Sequence, residues 1–247
     1  MHEDLNPNGP APQANESNPD LVAKSLSQEG NLSRQLALGM SSVLILGNGG
    51  TRNKTATHLA LAGVGKIVLA GEGMPILETS LKEILNSLPN KQNTTKFALR
   101  ETVFDAHLAE ALIGDVDLVI DCLADWQDKL LASDVCMNLR KTLMHSGGSG
   151  MRFQIYAMRP GKSACLRCAL PLAGIDDVPL LPEAGQCFEP IVAMLAAMQA
   201  LETIKILARI GVSQGNELLK FDGLSGEFEV IRGLDPRRDC PDCGPSR

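Results

Sequence analysis

Short unbroken apolar runs alternate along this chain with longer stretches in which apolar residues recur every three to four positions. Residues 42–47 read Ser-Val-Leu-Ile-Leu-Gly, apolar without alternation, which predicts a strand covered on both faces. The turn Gly47-Asn48-Gly49-Gly50 follows, then a helix from Lys54 to Ala62 stopped by Gly63 and Gly65. Residues 66–70 predict a second strand. Between Leu77 and Leu88 the apolar positions 77, 81, 84, 85 and 88 have helical spacing, and Pro89 ends the run. Residues 97–103 predict a strand, 106–113 a helix, 117–121 a strand and 125–139 a helix. Strands starting at 143 and at 154 follow. This alternation predicts a Rossmann-like, doubly wound α/β fold whose mainly parallel sheet carries helices on both faces.

The pattern changes after residue 158. Residues 159–189 contain several Pro and Gly and predict irregular chain. Pro190 suits the first turn of the apolar helix 190–210, where its missing N–H leaves nothing unpaired. Residues 218–221 and 227–232 predict a C-terminal hairpin around Ser225-Gly226. The longest apolar run, Ile191–Leu201, is broken by Gln199 and followed by Glu202, Lys205 and Arg209. It falls short of the about 20 apolar residues of a membrane span, so a buried core helix and no membrane partner are expected. Residues 1–20, rich in Asn, Pro, Glu and Gly, predict a disordered tail and leave 21–247 as the domain. They lack the layout of a secretory signal, so a cytoplasmic location is expected.

Composition narrows the function. A net charge of −6 with 3% aromatic residues argues against a nucleic-acid partner, which needs a basic face and stacking rings. The chain has seven cysteines, which in the cytoplasm are metal ligands or free thiols rather than disulfides. Cys165-Leu-Arg-Cys168 and Cys240-Pro-Asp-Cys243 each place two sulfurs on a tight turn. Four thiolates close a tetrahedral Zn2+ site with no open position, so its role is structural. Four free cysteines remain the alternative. Neither pair is predicted to precede a helix, which speaks against a thioredoxin-like redox role.

Gly47, Gly49 and Gly50 follow a strand and precede a helix, so the backbone can approach a phosphate at the helix N-terminus. The third glycine of a dinucleotide fingerprint falls on Arg52, which is expected to push the helix away or point outward. Glu72 is the only carboxylate near the place of a ribose-binding acid. Asp121 ends a strand where α/β proteins bind ligands, or else caps the next turn. Asp125 is a Mg2+ ligand or an N-cap. His145 is expected in a flexible loop, Met144-His-Ser-Gly-Gly-Ser-Gly150, near the pocket.

Taken in order, these segments resemble the ThiF/MoeB/HesA family of E1-like proteins. The likeness runs through Val43–Val68 with Ala62-Gly-Val-Gly-Lys66, Asp117–Cys122, Pro160–Cys168, Glu183-Ala-Gly185, Gln199–Lys205, Phe221–Gly226 and Cys240–Gly244. The resemblance implies binding of ATP and Mg2+, adenylation of the C-terminal glycine of a small ubiquitin-like sulfur-carrier protein, and a dimer. It also implies losses. The ribose aspartate falls on Gly71, the metal-binding aspartate on Ala124 with Asp125 beside it, and an arginine on Lys129. The segment carrying Asn, Arg and Gln after the second strand is deleted. The crossover-loop cysteine is missing, with Leu181 near its place and Cys187 as a substitute or a buried thiol. Apart from that cysteine, each loss touches the ATP and Mg2+ groups while the zinc frame survives.

Three functions follow. One is an adenylyltransferase with a reorganised site using Arg52, Glu72, Asp125 and Lys82 or Lys129. The second is a catalytically inactive pseudo-E1 that pairs with an active homologue. The third is a nicotinamide-dependent oxidoreductase using the same glycine turn.

Overall fold

The structure is a computed structural model and describes residues 31–88, 94–172, 188–211 and 216–244. The predicted tail 1–20, Leu181, Glu183–Gly185 and Cys187 lie outside the described residues.

The elements in chain order are α1 (Asn31–Met40), β1 (Ser42–Gly47), α2 (Gly50–Leu61), β2 (Lys66–Gly71), α3 (Met74–Ser87), β3 (Lys96–Glu101) and α4 (Ala106–Gly114). Then come β4 (Leu118–Cys122), α5 (Trp126–Asn138), β5 (Thr142–Ser149), β6 (Arg152–Met158), α6 (Leu166–Leu172), α7 (Glu189–Ala208), β7 (Leu218–Asp222) and β8 (Glu227–Ile231). They build one eight-stranded sheet in the order β3-β2-β1-β4-β5-β6-β7-β8. The strands from β3 through β5 in that order are parallel, and β6, β7 and β8 are added antiparallel. The predicted mainly parallel sheet with a C-terminal hairpin is therefore observed.

Strand β1 explains why its sequence is apolar throughout. Leu44 and Leu46 join the core on one face of the sheet, while Val43 and Ile45 join the core on the other. Each side chain so buried contributes about 1.5–3 kcal/mol. Helices cover both faces, so Val43–Leu46 are all shut off from water.

Three elements depart from the expectations. Helix α1 was not predicted: its apolar residues Leu32, Leu36 and Met40 face outward and mark no strand-covering side. Helix α6 falls in the segment read as irregular, because it is only seven residues long and ends around Pro171. Strand β5 runs on to Ser149, through residues expected to form a flexible loop. Pairing of Ser146–Ser149 with Arg152–Ile155 on β6 overrides the weak strand preference of two glycines.

Helix α7 is long and apolar enough to cross a membrane by length and composition. Here it packs on α2, α1 and strands β5 and β6, with Ile191, Leu195, Ala196 and Ala200 in the interior.

At the end of β1 the chain turns under a steric demand. Gly47 has φ +98 and pairs with Cys122 on β4, where an added Cβ would strike the Cys122 carbonyl. Gly47→Ala is expected to cost about 2 kcal/mol through left-handed strain and that contact. Denaturant melts check this; an unchanged midpoint would mean the turn can move away from β4.

Candidate functional site

In this strand order the connections diverge between β1 and β4, so a crevice opens at their carboxyl ends. Its first wall is the loop Gly47-Asn48-Gly49 leading into α2. Gly49 takes the N-cap position with φ 109 and supplies no side-chain cap, and the first turn of α2 holds no acid. The sequence singled out Gly47, Gly49 and Gly50, and the structure places all three on this loop.

Arg52 does not behave as expected. It is completely buried and so does not point outward. Its Nη1 donates to the Gly47 carbonyl and to Asn48 Oδ1, both at 2.8 Å. Its Nη2 donates to Ser80 Oγ on α3, and its Nε to Asn53 Oδ1 at 3.2 Å. Asn53 in turn donates to Glu83 on α3 at 2.8 Å. Burial holds the guanidinium below its usual pKa, against the pull of Cys122 and Glu83. The side chain has room because it runs across to α3 rather than down onto the sheet.

Gly71, on which the resemblance puts the ribose-binding acid, ends β2. A Cβ built there would meet Asn48 Oδ1 at 2.5 Å. The Asn48 amide, held by Arg52, therefore covers the end of β2. Glu72, the next residue, is exposed.

The second wall starts from β4. Asp121 pairs in register with Leu46 on one side and His145 on the other. Its carboxylate is fully buried and accepts from Lys129 Nζ at 2.9 and 3.1 Å and from the Leu123 N–H at 2.9 Å. His145 Nδ1 lies 2.7 Å from its other oxygen. Burial works against ionising Asp121, but Lys129 and His145 outweigh it and hold the carboxyl below its usual range. Lys129 Nζ also donates to the Ser146 carbonyl. Burial pushes the His145 pKa down despite Asp121. His145 Nδ1–H thus donates to Asp121, leaving Nε2 buried without a partner. This corrects the expectation of a mobile loop histidine: His145 is a core residue of β5.

Asp125 is the N-cap of α5 and accepts from the Gln127 and Asp128 amides. Of the two roles open to it in the sequence, the structure displays the cap. Ala124, on which the resemblance puts the metal-binding aspartate, precedes it. Burial, with Asp125 and Glu72 nearby, holds Asp128 above its usual pKa. The mouth of the crevice is therefore acidic, and its two cations, Arg52 and Lys129, are both engaged by the chain itself.

Sequence reasoning missed Asn48, Ser80, Asn53 and Gln199. Gln199 is fully buried, donates to Ser146 Oγ and accepts from Thr55 Oγ1, which ties α7, α2 and β5 together beneath the crevice. Only its polar break in an apolar run hinted at this.

The four cysteines meet as the spacing predicts. Cys165 and Cys240 sulfurs are 3.7 Å apart, Cys243 and Cys165 3.5 Å, and Cys243 and Cys168 3.7 Å. A tetrahedral ion with Zn–S bonds of about 2.3 Å needs sulfur–sulfur edges of about 3.8 Å, so the cluster fits Zn2+. One expectation is corrected: Cys165 immediately precedes α6 and Cys168 lies within it. A C-x-x-C at a helix start is the redox arrangement, yet here both sulfurs turn toward the second pair, as a metal site requires. Arg237 Nε donates to Cys168 Sγ at 3.3 Å.

Comparison with known proteins places this geometry. The sequence model of the ThiF family matches residues 78–242. The chain is 32% identical over 230 residues to "Adenylyltransferase and sulfurtransferase MOCS3" of Drosophila yakuba, covering 85% of this chain and 49% of the relative. It is 30% identical over 258 residues to the protein of that name in Drosophila persimilis, covering 95% and 56%. The chain thus spans about half the length of the curated relatives it matches. Among solved structures, E. coli MccB with ATP superposes with a TM-score of 0.70 at 17% identity, over 87% of this chain and 69% of that one. At that identity the likeness is one of fold.

Proposed function

The chain belongs to the ThiF family, and from that premise we propose that it is a non-adenylating, E1-like subunit. It pairs with a catalytically complete homologue that activates a small ubiquitin-like sulfur-carrier protein. One observation carries the reading: the charged groups at the end of β4 serve the fold. Asp121 is tied to Lys129 and His145, and Asp125 caps α5, while the resemblance puts the family's Mg2+ ligand on Ala124. The residues present do not fit Mg2+ with a triphosphate, whose charge must be neutralised for a carboxylate to attack the α-phosphate. The acidic mouth formed by Glu72, Asp125 and Asp128 repels an anion. The cysteine cluster fits Zn2+, which would pin the C-terminal segment to the start of α6 and keep the fold intact without chemistry.

Helix α1 supports a partner. Leu32, Leu36 and Met40 recur every fourth residue, so they share one face, and they are 71%, 55% and 83% exposed. A stripe of that kind marks an interaction surface.

The test is pyrophosphate release with Mg-ATP and candidate carriers. The chain alone is expected to release none, whereas turnover by the isolated chain would overturn the proposal. Leu36→Asp is expected to weaken association with an active homologue by at least about tenfold, or 1.4 kcal/mol, in sedimentation or calorimetry. Its melting temperature should stay unchanged, because Leu36 supports no core in the isolated chain.

A further inference from the structure

The family's nucleotide and the glycine loop of this chain disagree in a way that has its own consequence. We propose that Arg52 and Asn48 lock the loop, so that the nucleotide crevice keeps its shape without ligand. This rests on the non-adenylating reading but concerns the other wall of the crevice.

A guanidinium carries five N–H groups in a fixed fork. Four of them go to Gly47 O, Asn48 Oδ1, Ser80 Oγ and Asn53 Oδ1. Little is left to offer a phosphate. The acceptors lie on three different segments: the loop, α2 itself and α3. One side chain thus fixes the loop's exit from β1 against a helix beyond β2. The link from Asn53 to Glu83 doubles the bridge between α2 and α3 and brings a carboxylate toward the buried cation.

Asn48 completes the seal. Its Oδ1 faces the end of β2 at the point where a Cβ on residue 71 would lie, so it can sit there only because residue 71 is glycine. The missing ribose acid and the inserted Arg52 are therefore one change: an acid at 71 would displace Asn48, and without Asn48 the guanidinium loses an acceptor. The loop in a nucleotide-binding protein is free to close on phosphates. Here the Gly47 carbonyl and the Asn48 side chain are already held by Arg52.

The experiment uses the full zinc-loaded chain and follows amide hydrogen exchange of residues 47–53 with melting temperature, with and without Mg-ATP. No change in either reading on adding millimolar Mg-ATP is expected. Saturable protection of 47–53 with a rise in melting temperature would overturn the proposal. Arg52→Ala is expected to speed exchange in that segment by at least about tenfold. Ser80→Ala, which removes one acceptor on the far helix and is milder for folding, is expected to speed it in the same segment by a smaller factor. Wild-type exchange in Ser80→Ala would also overturn the lock. Loss of partner binding would sink the proposed function and leave this result standing. Nucleotide protection without pyrophosphate release would do the reverse.

Discussion

Replacing Cys168 with serine is expected to lower the melting temperature by about 10 °C or more. Loss of a metal site belongs to the few mechanisms that exceed about 4 kcal/mol, and in a domain of this size each kcal/mol moves the midpoint by about 2–4 °C. The sulfur edges of 3.5–3.7 Å leave room for one tetrahedral ion. Because the two pairs are remote in sequence, such an ion would close a long loop and hold residues 240–243 on the start of α6. Four neutral thiols at that spacing would instead crowd together with weak donors and acceptors. The purified chain is expected to carry one zinc per molecule by elemental analysis, and a chelator should reproduce the melting loss of the serine variant. A metal-free chain that melts like the loaded one would remove the zinc reading. Arg237→Ala, which removes the donor on Cys168 Sγ, should weaken zinc retention against the chelator without abolishing it.

The parallel half of the fold was legible because its strands are buried on both faces. Runs such as Val43–Leu46 have no other simple use, and the glycine turn marks where β1 ends. The cysteine pairs were legible for a similar reason: the chemistry of four thiolates needs no knowledge of what lies between them. What stayed hidden depends on contacts across sequence. Nothing local tells that Ser146–Ser149 pairs with β6, so a glycine-rich strand passed for a loop and His145 for a mobile residue. Arg52 is the sharpest case. A cation in a glycine loop looks like a phosphate ligand or a surface charge until its acceptors on Gly47, Asn48 and Ser80 are seen. Asp125 had two readings in the sequence, and the amides of Gln127 and Asp128 make the cap visible.

Lys129→Ala is expected to cost about 3–5 kcal/mol near neutral pH, because it leaves the Asp121 carboxylate buried without its cation. The more telling result lies in the pH dependence. In the wild-type chain the His145 pKa is depressed below its unfolded value of about 6.5. Below that pH the unfolded chain takes up a proton that the folded chain refuses, so stability is full above it and falls as pH drops toward the folded value. His58, lowered by burial and by Lys54, adds to the same slope. Asp121, held below its usual range, contributes stability present above its unfolded pKa of about 3.9 and lost only in stronger acid. Between pH 7.5 and 5.5 the wild-type chain should therefore lose stability. Without Lys129 the cluster of Asp121 and His145 carries one uncompensated negative charge, and a proton shared between them relieves it. The folded variant then binds a proton that the wild type does not, so its deficit should shrink on acidification. Urea melts at the two pH values, with zinc in excess, measure both effects. Equal pH slopes in the two proteins would mean that Lys129 is not the charge that balances Asp121. The double variant Asp121→Asn with Lys129→Met removes both charges together, and is expected to recover much of the loss at pH 7.5.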